Sequence, residues 1–427
     1  MATRPFKFLV VVLLFALFLF QNIRLAENYH AKYGMTGVIW SDAYTYYQYL
    51  PAVFLGDDAL THRSAIPLES GLMLSKVTYG VALMETPFFY ANYRLQQWKG
   101  NPGNGMEHSY GYAMLIAAST YVFLGLWMIF SLLRKWFNPF TAIICMLGIY
   151  YGTNLMHYTY AEPGTAHAFS FFCASGLLFF TDRFYQNPRF GWTFVAVTVF
   201  MALIVLIRPV NLIMVLIFAL YNCYSWADFK ARFRFLFSKI WLIPGFMIVG
   251  FIFFFPQLYY WHAMTGHWFV SPYTMNDERF IYLSNPKIAE ALFSHQGGWF
   301  PYSQIMLISM AALPFMIYKR KFHGWLILIV FAIILYICSS WWAINFMCAH
   351  GYRSFIDYSA IFIIPFAWLF YTITTKAPRW ASTLYTVAVL MLIYFACCMN
   401  IDFSIVNACI NKDWLFYDYI KLYDNYI

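Results

Sequence analysis

Eleven apolar runs, each close to the length that an α-helix needs to cross a bilayer, dominate this 427-residue sequence. A hydrocarbon core about 30 Å thick requires roughly 20 apolar residues in a helix. The runs lie near residues 7–23, 112–133, 139–156, 164–181, 191–207, 209–226, 240–260, 303–318, 324–342, 355–373 and 380–399. The sequence therefore predicts an all-α polytopic membrane protein with about eleven transmembrane helices.

The composition supports this class. Hydrophobic residues make up 62% of the chain and charged residues 11%, whereas soluble domains average roughly 45–50% apolar and 25% charged residues. A soluble enzyme, a nucleic-acid-binding protein and a disordered scaffold are thus disfavoured. The net charge of +9 is explained by the placement of the basic residues, and we expect no nucleic-acid partner.

The charges divide between two sides of the predicted membrane. The first run follows Arg4 and Lys7 and lacks a small-residue cleavage site, which predicts an uncleaved anchor with a cytoplasmic N-terminus. If the runs then alternate, 15 of the 27 basic residues fall in short cytoplasmic segments. By contrast, 16 of the 18 acidic residues and nine of the ten histidines fall outside. We therefore expect an outward-facing active site in a bacterial inner membrane.

The predicted outer side has two long loops, 24–111 and 261–302, and a short C-terminal tail, 400–427. In the first loop, residues 41–54 and 71–95 are predicted to form helices that lie at the membrane interface. Lys76, Glu85 and Pro87 argue against a span in the second of these. The adjacent Asp57 and Asp58 indicate a solvated turn.

The eight cysteines show no spacing typical of zinc sites. Six of them lie within the predicted spans, where they behave as small apolar residues. Cys348 and Cys409 fall on the predicted outer side and could form a disulfide.

Asp42 is the first candidate catalytic residue. A carboxylate at this position can act as a general base, or it can bind a divalent cation such as Mg or Mn. Alternatively, it caps the first interfacial helix, a role that Asp fills well. Ser41 could cap the helix instead and leave Asp42 available for chemistry.

Two arginines are candidates for binding phosphate. Arg208 lies beside Pro209 between the fifth and sixth runs, and Arg353 lies at the outer end of the tenth. Arginines at the membrane edge are costly and usually functional, and the planar guanidinium binds two phosphate oxygens at once. The alternatives are snorkelling to lipid headgroups and, for Arg353, pairing with Asp357 four residues later in a helix.

Further residues are candidates for substrate contact. Glu162 and His167 open the fourth run, although the acid also suits a helix start and the histidine could simply satisfy a neighbour. Glu85 is either a functional carboxylate or the partner of Lys76. The other candidates are His350, Asp357, Trp299 and Trp342, since tryptophans can stack on sugar rings as well as form interface belts.

The order of these features resembles the GT-C class of integral membrane glycosyltransferases, especially bacterial relatives of protein mannosyltransferases and of aminoarabinose transferases. The resemblance lies in one span, a long outer loop with an early acidic residue and two interfacial helices, and then further spans. The segments that carry it are Asp42 itself, Tyr79 to Phe89, Ile207 to Asn211, and Gly351 to Arg353 with Asp357.

The resemblance implies that the donor is a polyprenyl-phosphate-linked sugar or a polyprenyl-diphosphate glycan. The acceptor would be a lipid, a glycan or a protein, and transfer would occur with inversion on the outer face. Asp42 would be the base, and Arg353, assisted by Arg208, would stabilise the phosphate leaving group. Because Ala43 follows Asp42 where many members have a second acid, metal binding is less expected than base catalysis. The alternative function is a transporter or flippase.

Overall fold

The computed structural model describes residues 4–32, 37–56, 65–344, 349–403 and 418–421. Asp57, Asp58, Cys348 and Cys409 lie outside these ranges, so the predicted turn and disulfide remain predictions. The first half of the described chain contains α1 (Arg4–Lys32), α2 (Ser41–Tyr47), α3 (Tyr49–Leu55), β1 (Ala65–Pro67), β2 (Met73–Ser75), α4 (Gly80–Trp98), α5 (His108–Trp136), α6 (Pro139–Tyr150), α7 (His157–Tyr160), α8 (Ala166–Gln186) and α9 (Trp192–Ile207).

The second half of the described chain is also helical. It contains α10 (Val215–Leu220), α11 (Trp226–Ser238), α12 (Ile243–Thr265), α13 (Pro272–Met275), α14 (Ile288–Phe293), α15 (Trp299–Tyr302), α16 (Gln304–Tyr318), α17 (Gly324–Ser339), α18 (Ser359–Lys376) and α19 (Arg379–Asp402). Three 3-10 helices span Pro209–Met214, Ile240–Leu242 and Arg353–Tyr358. Among the described residues, β1 and β2 pair as an antiparallel hairpin.

Each of the eleven predicted runs contains a helix, which confirms the all-α, apolar character of the chain. Among the described residues, five helical stretches are long and apolar enough to cross a membrane: Phe8–Lys32, His108–Trp136, Ile243–Thr265, Arg353–Lys376 and Arg379–Asp402. Five other runs correspond to shorter apolar helices of 10–17 residues, and the run at 164–181 corresponds to α8. The number of membrane crossings therefore remains a prediction.

The sixth run does not form one continuous α-helix. It contains a 3-10 helix, Pro209–Met214, followed by the six-residue α10. Proline fixes its own φ and disfavours α-helical backbone in the preceding residue. Arg208 is accordingly extended, with φ −147° and ψ 113°, so the chain leaves α9 at the arginine.

The principal helices join two well-separated ends of the molecule. At one end, which we call the site end, α9 ends and α8 begins. There Arg208 contacts Asp357 in the 3-10 helix Arg353–Tyr358, which leads into α18. At the opposite end, Lys135 of α5 contacts Asp182 of α8. Asp182 also accepts a hydrogen bond of 2.7 Å from Tyr221 Oη. Helices α8 and α9 therefore run in opposite directions between these two ends.

Helix α8 lies at the centre of the bundle, against α5 and α9. Most of its residues are buried, including Phe169, Phe171 and Leu177. Gly176 allows α9 to approach closely, because a Cβ there would lie 2.3 Å from the Phe200 ring. The core thereby fixes the start of α8, which carries His167, at the site end.

The loop between α1 and α5 is held against the bundle. The backbone N–H of Ser75 donates to Tyr260 Oη at 2.9 Å, and that of Tyr79 donates to Gln257 Oε1 at 2.9 Å. The predicted helix at 41–54 is two helices that meet at Gln48. The predicted helix at 71–95 is wrong at its start, since residues 73–75 form β2 and α4 begins only at Gly80; α4 then continues through Pro87. The packing of α4 against α5 compensates for the backbone hydrogen bond that proline removes.

Candidate functional site

A buried carboxylate organises the site end. Asp357 is fully buried and its Oδ2 accepts hydrogen bonds from Arg208 Nη1 at 2.8 Å and from Asn211 Nδ2 at 2.9 Å. Its other oxygen lies 2.9 Å from His167 Nδ1. Buried charges are stable only when they are paired and hydrogen-bonded, and Asp357 meets both conditions. It therefore joins α8, the end of α9 and the segment before α18.

The same network fixes the guanidinium of Arg208. Its Nη2 donates to Ser354 Oγ at 3.0 Å, while its side chain remains 18% exposed. Asn211 Oδ1 accepts a hydrogen bond of 2.9 Å from Tyr358 Oη. Because Asn211 Nδ2 also donates to Asp357, both ends of the amide are held by hydrogen bonds. Arg208 is thus held in one geometry and still presents part of its surface to a ligand.

Arg353 forms a second pair with Asp42. Its Nη2 donates to Asp42 Oδ2 at 2.6 Å, with 18% of the arginine side chain and 47% of the aspartate side chain exposed. The predicted alternative, in which Arg353 pairs with Asp357, is wrong. Residues 353–358 form a 3-10 helix, and at three residues per turn, positions four apart do not share a face.

The N-cap role predicted as an alternative for Asp42 is not its role in this structure. The N-cap of α2 is Trp40, and Asp42 lies in the first turn with its carboxylate against Arg353. The adjacent guanidinium lowers the pKa of Asp42 below its ordinary value, although burial opposes this effect. Asp42 is therefore ionised at neutral pH and half exposed.

Two tyrosines adjoin both arginines. Tyr46 and Tyr273 are electrostatic neighbours of Asp42, Arg208 and Arg353. Burial raises the pKa of Tyr273 to about 12, so its hydroxyl stays protonated. The helical pattern at 41–54 included Tyr46, but no local signal marked Tyr273, which belongs to the second long loop.

Lys76 adds a third cation near this pair of arginines. It binds Glu278 Oε1 at 2.5 Å, and its Nζ lies 5.4 Å from the centroid of the Tyr273 ring. This contact joins the first and second long loops. It also excludes the predicted Lys76–Glu85 pair, because the lysine faces Glu278 instead.

Glu85 lies apart from the arginines, in α4. It is 1% exposed, and neither of its carboxyl oxygens has a hydrogen-bond partner within the described residues. Burial raises the pKa of this carboxyl well above its usual range, as expected for an acid in an apolar setting. No hydrogen bond or ion pair described here brings Glu85 together with Asp42, Arg208 or Arg353.

Next to the arginines lies a second polar group, which we call the histidine cluster: His157, Tyr158, Glu162 and His350. The rings of His157 and His350 are 4.6 Å apart, and His157 Nε2 lies 3.5 Å from Glu162 Oε1. His157 was not among the predicted site residues, because a lone histidine in an aromatic stretch carries no recognisable pattern. Glu162 and His167, which were predicted together as candidates for substrate contact, therefore lie in different groups: Glu162 in this cluster and His167 in the Asp357 network.

Tyr158 connects the two groups. Its ring centroid is 5.1 Å from that of His167, and both it and Glu162 are electrostatic neighbours of Arg353. Gly351, with φ +65°, turns the chain from His350 towards Arg353. A side chain there would collide with Tyr302, since a Cβ would lie 2.6 Å from Tyr302 Cβ.

The two tryptophan candidates differ in exposure. Trp299 is 1% exposed and stacks on Phe355 at 4.3 Å with an interplanar angle of 14°. It therefore packs beneath the segment that carries Arg353 and Asp357. Trp342 is 36% exposed, which leaves its ring surface available to a ligand.

Within the described residues, no three His, Cys, Asp or Glu side chains are arranged to bind a metal ion. A Mg or Mn ion at Asp42, as predicted, would therefore need ligands other than a group of these side chains. Comparison of the sequence with known protein families and with characterised proteins gave no match.

Proposed function

We propose that this protein is a membrane glycosyltransferase that moves a sugar from a polyprenyl-phosphate-linked donor to an acceptor hydroxyl. The observation that carries the proposal is the pair of arginines at one end of the bundle. Each arginine side chain is 18% exposed and is held by the carboxylate of an aspartate. Asp42, the partner of Arg353, is itself half exposed. Fixed guanidinium groups suit a phosphate leaving group, and a half-exposed carboxylate suits a general base.

In the proposed reaction, the acceptor oxygen attacks the anomeric carbon and the bond from that carbon to the phosphate oxygen breaks. The bonding electrons go to the phosphate, which leaves as polyprenyl phosphate, and the acceptor proton goes to Asp42. Arg353 and Arg208 stabilise the charge that develops on the phosphate. Attack opposite to the leaving group inverts the anomeric configuration.

The ion pair between Arg353 and Asp42 gives this scheme an order of events. While Arg353 holds Asp42, the pKa of the carboxyl is lowered and the carboxylate is a weak base. A donor phosphate that draws Arg353 to itself weakens the pair and raises the pKa of Asp42. Donor binding thereby prepares the base for the acceptor.

If donor binding draws Arg353 away from Asp42, the pH profiles of kcat/KM and of kcat should have acid limbs at different pH values. Protonation of Asp42 removes the base, so activity falls as pH falls through the pKa of this carboxyl. The limb in kcat/KM reports the free enzyme and that in kcat the substrate complex. We expect the kcat limb at the higher pH, since Arg353 lowers the pKa of Asp42 most in the free enzyme. Limbs that coincide would contradict the exchange of Arg353 between Asp42 and phosphate.

The proposal includes an orientation. The opposite end of the bundle carries the clustered basic residues, among them Arg134, Lys135 and Lys319 to Lys321, which favour a cytoplasmic location. The site end would then face the periplasm or the cell exterior, in a bacterial inner membrane. A lipid-linked donor fits that side, which has no supply of nucleotide sugars.

Lipids that co-purify with the protein test the donor class. Wild-type protein in mild detergent is expected to retain polyprenyl phosphate or its glycosylated form, detected by native mass spectrometry. Arg353→Gln should retain at least about tenfold less, because it removes a charge-assisted contact to phosphate. Arg279→Gln is the matched control, since Arg279 is 65% exposed and pairs with Asp277 in the second loop. Equal retention by all three proteins would remove the phosphate role of Arg353.

A further inference from the structure

The histidine cluster contains buried polar atoms that have no hydrogen-bond partner among the described residues. His157 is fully buried and Glu162 is 5% exposed. Neither ring nitrogen of His157 has a hydrogen-bond partner within the described residues, and the same holds for Glu162 Oε1 and His350 Nδ1. The 3.5 Å separation of His157 Nε2 and Glu162 Oε1 exceeds a normal hydrogen bond. Native proteins seldom leave such atoms unpaired, so each requires an explanation.

The chemistry of these atoms favours hydroxyl groups as partners. His350 is fully buried, and burial lowers its pKa well below the usual range, so the ring is neutral. Its Nε2 lies 3.0 Å from Asn400 Oδ1, which assigns the ring proton to Nε2 and leaves Nδ1 as an acceptor. Glu162 Oε1 is also an acceptor, and His157 can donate through one nitrogen and accept through the other. A hydroxyl both donates and accepts, and therefore satisfies all three.

The same chemistry disfavours phosphate at this position. Glu162 would repel an anion, whereas Arg353 and Arg208 already supply the cations that a phosphate requires. The cluster is also enclosed by rings, since His350 packs on Tyr302 at 5.2 Å and on Phe403 at 4.3 Å. Apolar walls with a few convergent polar atoms are typical of small-molecule subsites.

The cluster lies within reach of the group that the arginines would bind. Only Gly351 and Tyr352 separate His350 from Arg353 along the chain, and three residue steps span at most about 11 Å. Glu162 and Tyr158 are electrostatic neighbours of the Arg353 guanidinium. When Arg353 binds the donor phosphate, the hydroxyls of the sugar attached to that phosphate therefore lie close enough to contact the histidine cluster.

We propose that the histidine cluster is the subsite that binds the hydroxyl groups of the donor sugar. This inference rests on the proposed function and extends it, because it separates recognition of the sugar from recognition of the phosphate. Arg353 and Arg208 bind the part that every polyprenyl phosphate shares. Glu162, His157 and His350 bind the part that distinguishes a glycosylated lipid from a bare one. Asp42, which is half exposed, is left for the acceptor.

The test compares affinities for bare polyprenyl phosphate and for polyprenyl phosphates that carry glucose, mannose, galactose or a pentose. We expect wild-type protein to bind at least one glycosylated lipid about tenfold or more tightly than the bare lipid. Glu162→Gln should reduce this preference to about threefold or less and should not weaken the binding of bare lipid, because it removes a negative charge near Arg353. A site built to bind hydroxyls loses discrimination when its polar partners are removed. Glu290→Gln, at an exposed position in α14, should behave as wild type.

Two further measurements keep the outcomes separate. His157→Asn provides a second variant if Glu162→Gln does not fold, and it should also lose the preference for the glycosylated lipid. Arg353→Gln should lose affinity for bare and glycosylated lipids alike. If Glu162→Gln and His157→Asn keep the full preference, or if wild type shows none, the sugar subsite is wrong while the phosphate site stands. If wild type binds no polyprenyl lipid, the proposed function fails and the subsite fails with it.

Discussion

Asp42→Asn is expected to lower the rate of sugar transfer by about 10²–10⁴-fold, which is the usual contribution of a general base. Asparagine has nearly the same shape but cannot accept the acceptor proton. Binding of the donor should persist, and it should strengthen if Arg353, no longer paired with a carboxylate at 2.6 Å, is more available to phosphate. Single-turnover transfer and lipid affinity, measured on the same preparation, separate the two effects.

The control for Asp42→Asn is Asp277→Asn in the second loop. Asp277 is 81% exposed and pairs only with Arg279 among the ion pairs of the described residues, so its neutralisation should leave transfer unchanged. Full activity in Asp42→Asn would remove the base assignment. A loss of donor affinity equal to the loss of rate would instead make Asp42 a positioning residue for Arg353.

Asp357→Ala is expected to destabilise the protein by about 3–5 kcal/mol, the cost of removing one partner of a buried ion pair. Three side chains lose their shared acceptor: Arg208, Asn211 and His167. The guanidinium is then left in the bundle without its carboxylate. A fall in the apparent Tm of purified protein in detergent, followed by labelling of the buried Cys173 and Cys338, measures the loss.

A double-mutant cycle isolates the ion pair within that effect. Asp357→Asn and Arg208→Gln should each destabilise the protein, and the double variant should lose less than the sum of the two, because no charge is then left unpaired. Asp277→Asn is the comparison, since its pair with Arg279 is exposed on both sides, 81% for the aspartate and 65% for the arginine, and such pairs contribute about 0–1 kcal/mol. Additive losses would contradict the coupling of Arg208 to Asp357.

The helices were largely predictable, because apolar length is a local property of the sequence. All eleven runs contain helices, and Pro209 marked the point where α9 ends. The interruption of the sixth run was not predictable, because hydropathy does not distinguish a 3-10 helix followed by a short α-helix from a continuous α-helix. Likewise, Pro87 did not end α4, since packing against α5 outweighs a local signal.

The contacts within the site were less predictable. Residue type and membrane-edge position identified Asp42, Arg208, Arg353 and Asp357, but not which arginine contacts which carboxylate. Arg353 and Asp42 are 311 residues apart in the chain, and no spacing rule relates them. The helical rule for residues four apart suggested Asp357 instead, and it failed because the segment is a 3-10 helix. His157 was missed since a lone histidine in an aromatic stretch carries no pattern.

In the proposed function, the site end cleaves the bond between a sugar and a polyprenyl phosphate. The most direct measurement incubates the reconstituted protein with glycosylated polyprenyl phosphates and an extract of bacterial cell-envelope acceptors, and follows bare polyprenyl phosphate by mass spectrometry. We predict its release with wild type and its loss with Asp42→Asn. A donor that crosses the bilayer with its sugar–phosphate bond intact, at equal rates in both proteins, would contradict the account and identify a transporter.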